Sequence, residues 1–251
     1  MSTLGLVMAG GAGSRMQQSG GTCPKPLVEV QGRTLLEHNV RAMLAAGVKR
    51  VVVSVRAGEV SEYAAQHCRP IAVAAGGTLD LLIESKPLGN IGCLGLLTGS
   101  ADTVVVTYAD NLTALNPADL MQQHAETKAD LTLAAHWHPF QMPFGELHLD
   151  GTRVTAYTEK PITKSLVCSA ICVAGPEALG AIPTDQATGL SELARQLITA
   201  GHVVEAFPHE AAWIDVNDVA SIARAEQLMI DCRDQFAWFA GDCPSKLTEA
   251  A

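Results

Sequence analysis

A chain of 251 residues has room for one large domain, or one domain with an elaborated edge. Its hydrophobic content of 48% beside 17% charged residues describes an ordinary globular core and excludes an intrinsically disordered chain. A formal net charge of −9, with no basic stripe interrupting it, argues against a nucleic-acid partner, so any nucleotide bound here is a small one held locally.

The first element is the apolar run 4–8, which breaks directly into Gly10, Gly11 and Gly13. Residues 34–46 carry Leu35, Leu36, Val40, Met43 and Leu44 at helical spacing and close on Gly47. The run RVVVSV (50–55) reads as another buried strand, 59–67 as a helix, and 79–83 and 103–110 as further strands. Strands this apolar on both faces, separated by helices, imply a parallel sheet covered on both sides. The second half changes character: DLTLAAHWH, FGELHLDGTRVTAYTEKP and SLVCSAICVAG are strand-like, with Asp150-Gly151 as a tight hairpin turn. Helices return over 191–200 and 216–229. The expected architecture is α/β: a Rossmann-like, doubly wound, mostly parallel sheet covered by helices, with a small added antiparallel or mixed portion. A single domain is expected over 1–230. The tail 231–251 carries Phe236, Trp238 and Phe239 and is expected to pack on the body or on a partner subunit of a homo-oligomer.

Seven cysteines are scattered without a CxxC pair. They read as reduced thiols of a cytoplasmic protein, mostly core, with Cys23 in the opening loop the one to watch for reactivity. No run approaches the roughly 20 apolar residues of a membrane span, and the start lacks the basic flank of a secretory signal, so no membrane partner is expected. His136 and His138 would share one face of a strand, but His124 and His148 are not spaced to complete a zinc site. The histidines are expected to line a surface or a pocket.

A glycine-rich loop at the carboxyl end of a parallel strand is where doubly wound sheets bind ligands. There, glycine lets backbone N–H groups crowd toward an anion. The spacing of Gly10, Gly11 and Gly13 fits neither the Walker loop, since no Gly-Lys-Ser/Thr follows, nor the dinucleotide loop, since the third glycine is missing. The loop does have Arg15 and, inside Pro24-Lys25-Pro26, Lys25: one fork and one point charge able to pair with phosphates.

AGGAGSR (9–15) followed by PKPL (24–27) resembles the signature of the sugar-1-phosphate nucleotidyltransferases, the sugar-nucleotide pyrophosphorylases. Gln18, Ser19 and Gly20 stand where that family has P-L-T. The resemblance covers about residues 4–229 and implies a GT-A-like fold. It implies a nucleoside triphosphate held by Ala9, Gly10, Gly11, Gly13 and Ser14, with Glu84, Gly89 and Asn90 of ESKPLGNIG on the nucleobase. By the same resemblance, Arg15, Lys25, Asp110 and Lys160 are catalytic, and Asp110 with Asp215 of AAWIDVND holds Mg2+. Two carboxylates with phosphate oxygens for the rest suit that hard cation. The segment FGELHLDGTRVTAYTEKP implies that Gly145 and Glu159 contact the sugar and Lys160 its phosphate, with Ser169 beside them. Ala170 and Cys172 replace the family's glycine and tyrosine, Asn217 stands where glycine is usual, and Trp213 reads as core. The implied reaction joins a nucleoside triphosphate to a sugar 1-phosphate, with a preference for a guanylyltransferase of heptose or mannose 1-phosphate resting on the MPFGELHLDGTRVTAYTEKP segment. A cytidylyltransferase for an alditol- or choline-type phosphate, or a non-catalytic nucleotide- or sugar-binding relative, stands as the alternative.

Overall fold

In a computed structural model, residues 2–11 and 13–240 are described. The strands are β1 Thr3–Met8, β2 Glu29–Val30, β3 Arg33–Thr34, β4 Arg50–Val55, β5 Thr78–Ile83, β6 Thr103–Tyr108, β7 Asn111–Thr113, β8 Leu131–Gln141, β9 Glu146–Asp150, β10 Arg153–Thr158, β11 Ile162–Ala174, β12 Val204–His209 and β13 Trp213–Asp215. The α-helices are α1 Ser14–Gln18, α2 Leu35–Ala45, α3 Glu59–Tyr63, α4 Arg69–Ala74, α5 Pro117–Thr127, α6 Pro176–Gly180, α7 Leu190–Thr199, α8 Val219–Asp231 and α9 Arg233–Ala240.

Seven strands form one sheet in the order β12-β8-β11-β6-β1-β4-β5. The neighbours of β1 and the β4–β5 and β8–β12 pairs are parallel, and β11 alone runs antiparallel to both its neighbours. The doubly wound, mostly parallel sheet is therefore as expected. One refinement is that the strand-rich second half mostly joins the same sheet, and only the β9–β10 hairpin and the two short ladders β7–β13 and β2–β3 stand apart. Alternation along β1 explains the two-sided burial: Leu4 and Leu6 enter one core with Leu94, Val104 and Leu193. Val7 enters the other with Val51, Val53, Val105 and Met43.

Two helix boundaries differ from the sequence reading. The helix begun at Glu59 does not end at His67; it passes through a π turn at Ala64–Cys68 and continues as α4 to Ala74. The last long helix starts at Val219, three residues later than expected, because Asp218 caps it. The Asp218 carboxylate accepts from the Ser221 N–H at 2.7 Å while the Ser221 hydroxyl takes the Asp218 N–H. Of the aromatic tail, α9 lies on the body: Phe236 and Phe239 are buried beside Leu112, Val216 and Leu35, and the Trp238 indole donates to the Ala114 carbonyl at 3.0 Å. Residues 241–251 lie outside the described residues. Burying Phe236 fully contributes on the order of 2 kcal/mol, and it does so directly behind β7, the strand that follows Asp110.

No helix among the described residues is long and apolar enough to cross a membrane. The cysteines are less uniformly core than expected: Cys68, Cys93 and Cys172 are buried, but Cys23 and Cys168 are exposed and Cys232 is half-buried. Burial, and then Glu59 and Glu29, push the Cys23 thiol above its ordinary range, which disfavours the reactive thiolate.

Candidate active site

At the carboxyl ends of the parallel strands the chain leaves β1 through Ala9, Gly10 and Gly11, and Gly13, at φ 63°, starts α1. This loop, Ser14, Arg15, Lys25, Glu84 and Asp110 line one cleft of about 350 Å³, with Gly89 and Asn90 on its far wall. Lys25 opens a short 3-10 turn between Pro24, which is extended, and Pro26. Its side chain is nearly buried, and its ammonium lies 3.1 Å from Asp110 Oδ2. It also donates to Asn217 Oδ1, whose amide in turn donates to Asp215 Oδ2. A continuous chain Asp110–Lys25–Asn217–Asp215 results, drawn from segments 192 residues apart at its widest.

The antiparallel β7–β13 ladder is what brings the two aspartates together. Asp215 pairs with Asn111, and the Val216 N–H donates to the Asp110 carbonyl at 2.9 Å. Burial raises the Asp215 carboxyl above the usual carboxylate range. The Asp110 charge raises it further, against Lys25, Asn217 and Arg15, which pull it down. Asp215 Oδ1 is buried and has no hydrogen-bond partner among the described residues. An orphaned carboxylate oxygen beside a second carboxylate is the donor set of a hard cation that takes its remaining ligands from phosphate and water. No group of three or more His, Cys, Asp and Glu able to cage a metal occurs among the described residues, so a cation here would depend on substrate oxygens.

Beside the glycine loop, Glu84 is buried and accepts from the Ser54 hydroxyl at 2.5 Å. Gly10 lies against it: a Cβ there would come within 2.8 Å of Glu84 Oε1. Gly89 combines φ 78° with a backbone so close that a Cβ would meet the Thr188 carbonyl at 2.5 Å. Asn90 both lines the cleft and accepts from the Leu190 N–H at 2.9 Å, fixing the start of α7.

Sequence reasoning missed three residues of this site. Asn217 was read only as a departure from glycine, yet it links Lys25 to Asp215. Arg56 follows β4 as a second cation on the cleft wall; its signal was a cation directly after a buried parallel strand. Tyr108 also lines the cleft, its hydroxyl buried and unpartnered among the described residues. An apolar strand running into Tyr-Ala-Asp gave no sign of it.

The sugar-side residues divide. Ser169 is fully buried, its hydroxyl between His136 Nδ1 at 2.9 Å and His209 Nε2 at 2.8 Å. Its carbonyl accepts from Asn111 and from the Trp213 indole at 2.9 Å. Trp213 is thus only half-buried, not core: its ring lies 4.5 Å from that of His136, on the wall of a second, open hollow of about 900 Å³. Burial, then the neighbouring His136, pushes His209 down to about 4. His136 is lowered by burial and by His138. Ala170 explains the family's glycine at its position, since it sits at φ 55° where β11 slips register. Gly145, Glu159 and Lys160, by contrast, belong to the β9–β10 hairpin. Gly145 is packed under the Tyr157 phenol, Glu159 accepts from the Tyr157 hydroxyl at 2.9 Å, and Lys160 is exposed at φ 45°. The structure gathers Lys25, Asp110 and Asp215 and leaves Lys160 outside the cleft that Lys25 and Asp110 line.

A glycine loop at the carboxyl edge of a doubly wound sheet, with Arg15 and Lys25 beside two convergent carboxylates, is an arrangement suited to holding the phosphates of a nucleotide. The Nucleotidyl transferase family model matches residues 4–231, and the chain belongs to that family. Among curated relatives, the chain is 26% identical over 220 residues to the mannose-1-phosphate guanyltransferase of Yarrowia lipolytica, covering 84% of this chain and 60% of that one. It is 25% identical over 239 residues to the low-salt glycan biosynthesis nucleotidyltransferase Agl11 of Haloferax volcanii, covering 90% of this chain and 66% of that one. The chain thus spans about three fifths of the length of the first and two thirds of the second. The solved structure of HddC from Yersinia pseudotuberculosis shares the fold, with a TM-score of 0.67 at 22% identity over 90% of this chain and 99% of that one.

Proposed function

We propose that the protein couples a nucleoside triphosphate to a sugar 1-phosphate, forming a nucleoside diphosphate sugar and releasing pyrophosphate. The observation that carries this reading is the Asp110–Lys25–Asn217–Asp215 chain, whose first two members line the glycine-loop cleft. In the reaction a phosphate oxygen of the sugar 1-phosphate bonds to the α-phosphorus, and the bond from that phosphorus to the bridging oxygen breaks in line, so pyrophosphate leaves with the electron pair. The nucleophile is already an anion, so no general base is needed; positioning and charge neutralisation do the catalysis.

The glycine loop and Arg15 hold the leaving β- and γ-phosphates. Lys25 faces the α-phosphate, where charge builds. Asp110 and Asp215 hold Mg2+, which when bound screens the reacting phosphates from one another. Ser169 supports the sugar side, and Gly145, Glu159 and Lys160 are the residues proposed for the sugar and its phosphate, although they lie outside the cleft that Lys25 and Asp110 line. The test is to incubate the protein with each triphosphate, Mg2+ and a panel of sugar 1-phosphates and to follow pyrophosphate release. Release that requires one triphosphate and one sugar phosphate together is expected. No release above blank with any pair, or release only with CTP and an alditol phosphate, sinks the assignment.

The base preference follows from Glu84. Guanine presents two adjacent donors, N1–H and the N2 amine, to a carboxylate, whereas uracil and thymine present one N–H between two carbonyls that a carboxylate repels. Guanine is therefore the favoured base, in keeping with the guanyltransferase name of one relative. Glu84→Gln is expected to lower kcat/KM for GTP about 10–100-fold, the scale of a hydrogen bond to a charged group, and to narrow the ratio of GTP to UTP. An unchanged ratio would move base selection elsewhere in the cleft.

A further inference from the structure

Of the cations that line the cleft, Arg15 and Lys25 face phosphate in the reaction above, and Arg56 is left without a task. It stands one residue past the end of β4, as Glu84 stands one residue past the end of β5. The two strands pair in register through Ser54–Leu82 and Val55–Ile83, and the Glu84 N–H extends the ladder to the Val55 carbonyl at 2.9 Å. Side chains alternate along a strand, so Arg56 falls on the face of Ser54 and Glu84 on the face of Leu82, and both line the cleft. Paired positions on neighbouring strands lie about 5 Å apart. Despite this adjacency the two do not join. Arg56 is exposed and has no hydrogen bond or ion pair among the described residues. The Glu84 carboxylate accepts there only from the Ser54 hydroxyl, at Oε1.

The order of the sheet decides which part of a nucleotide Arg56 meets. Strands β6, β1, β4 and β5 are successive neighbours. Asp110 follows β6 and the glycine loop follows β1, so the phosphates of the proposed reaction lie on that side, and Arg56 and Glu84 follow the two strands beyond it. A base edge that meets a carboxylate and an adjacent guanidinium must offer donors to the first and acceptors to the second. Guanine does so on consecutive atoms of its rim: the N2 amine and N1–H, then O6 and N7. Adenine puts an amine where guanine has O6, against a guanidinium whose N–H groups accept nothing. Pyrimidines have no N7 to offer.

We infer that Arg56 selects the base, its guanidinium forking onto O6 and N7 of guanine while Glu84 takes N1–H and the N2 amine. This rests on the nucleotidyl-transfer reading above, and binding alone tests it, with Mg2+ and no sugar phosphate so that nothing turns over. Titration calorimetry gives Kd of the wild type for GTP, ATP, CTP, UTP and 7-deaza-GTP, which lacks only the N7 acceptor. The same titrations with GTP and 7-deaza-GTP follow for Arg56→Ala and Arg56→Lys. The wild type is expected to bind GTP most tightly of the four, and 7-deaza-GTP about 5–10-fold more weakly than GTP, within the span of one bidentate base contact. Arg56→Ala is expected to weaken GTP about 10–100-fold and to bring the two ligands within about twofold of each other. Arg56→Lys, a point charge in place of the fork, is expected to fall between. Arg56 is exposed, so both variants are expected to keep the wild-type Tm. A loss by the same factor for GTP and 7-deaza-GTP would mean that Arg56 meets phosphate or ribose, and overturns the inference. Equal wild-type affinities for the two, or tighter binding of another of the four triphosphates, overturn it too while leaving nucleotidyl transfer standing. A wild type that binds no triphosphate overturns both.

Discussion

Lys25→Ala is expected to lower kcat by about two to three orders of magnitude, the scale of removing one oriented charge from a developing anion, with a much smaller change in KM for the triphosphate. The reason is where the ammonium stands. It is nearly buried, 3.1 Å from Asp110 and bonded to Asn217, so its position is set before substrate arrives and costs little reorganisation when charge builds at the α-phosphorus. Its removal also leaves Asp110 and Asp215 facing each other without the cation that tempers their repulsion. Lys25→Gln keeps length and donors but no charge, and is expected to fall close to the alanine variant. Arg15→Ala, at the phosphate-loop end, is expected to raise KM for the triphosphate more than it lowers kcat. Steady-state pyrophosphate release, with the triphosphate Kd measured separately, distinguishes the two. A Lys25→Ala rate within about threefold of wild type would remove Lys25 from the chemistry.

What was legible in the sequence was what local physics dictates. Apolar runs alternating with helices read as a covered parallel sheet because burial on both faces favours apolar residues; β1, β4 and β6 stand where such runs placed them, and β5, with its exposed Asp80, forms the edge beside β4. The phosphate-facing loop was legible because glycine and positive φ coincide at Gly13. The helix from Glu59, expected to end at His67, runs on through Pro70. A π turn resets the hydrogen bonds before it, so Pro70 falls in the first turn of α4, where its missing N–H costs nothing. The antiparallel course of β11 was not legible, since an apolar strand carries no mark of direction. Asn217 was hidden for another reason: its role exists only through Lys25 and Asp215, and no local pattern records a side chain that bridges segments this far apart. Lys160 shows the converse. A motif names its residue type, but whether the hairpin that carries it bends toward the cleft is set by packing that lies beyond the motif.

Asp215→Asn is expected to act in opposite directions on stability and turnover. Burial and Asp110 raise the Asp215 carboxyl, so the folded chain holds that proton more tightly than the unfolded chain does. The ionised form therefore costs stability, and the cost grows as pH rises from the ordinary carboxylate value, near 4, through the raised one; it is absent below that window. Asparagine keeps the shape and the acceptor for the Asn217 amide while removing the charge. In chelator at pH 7 the variant is expected to melt above wild type. The gap is expected to close as the pH falls to about 4 and below. Millimolar Mg2+ with a triphosphate is expected to raise the wild-type Tm and leave the variant's nearly unchanged, since on the proposed reading Asp215 would be one of the cation's two protein ligands. Turnover is expected to fall by about two to three orders of magnitude. A variant that melts below wild type in chelator would mean that the Lys25–Asn217 network, and not carboxylate repulsion, dominates at this position. A variant that still gains from Mg2+ would place the cation elsewhere. Stability gained by a substitution that abolishes turnover is what a residue kept for its charge, against the preference of the fold, should show.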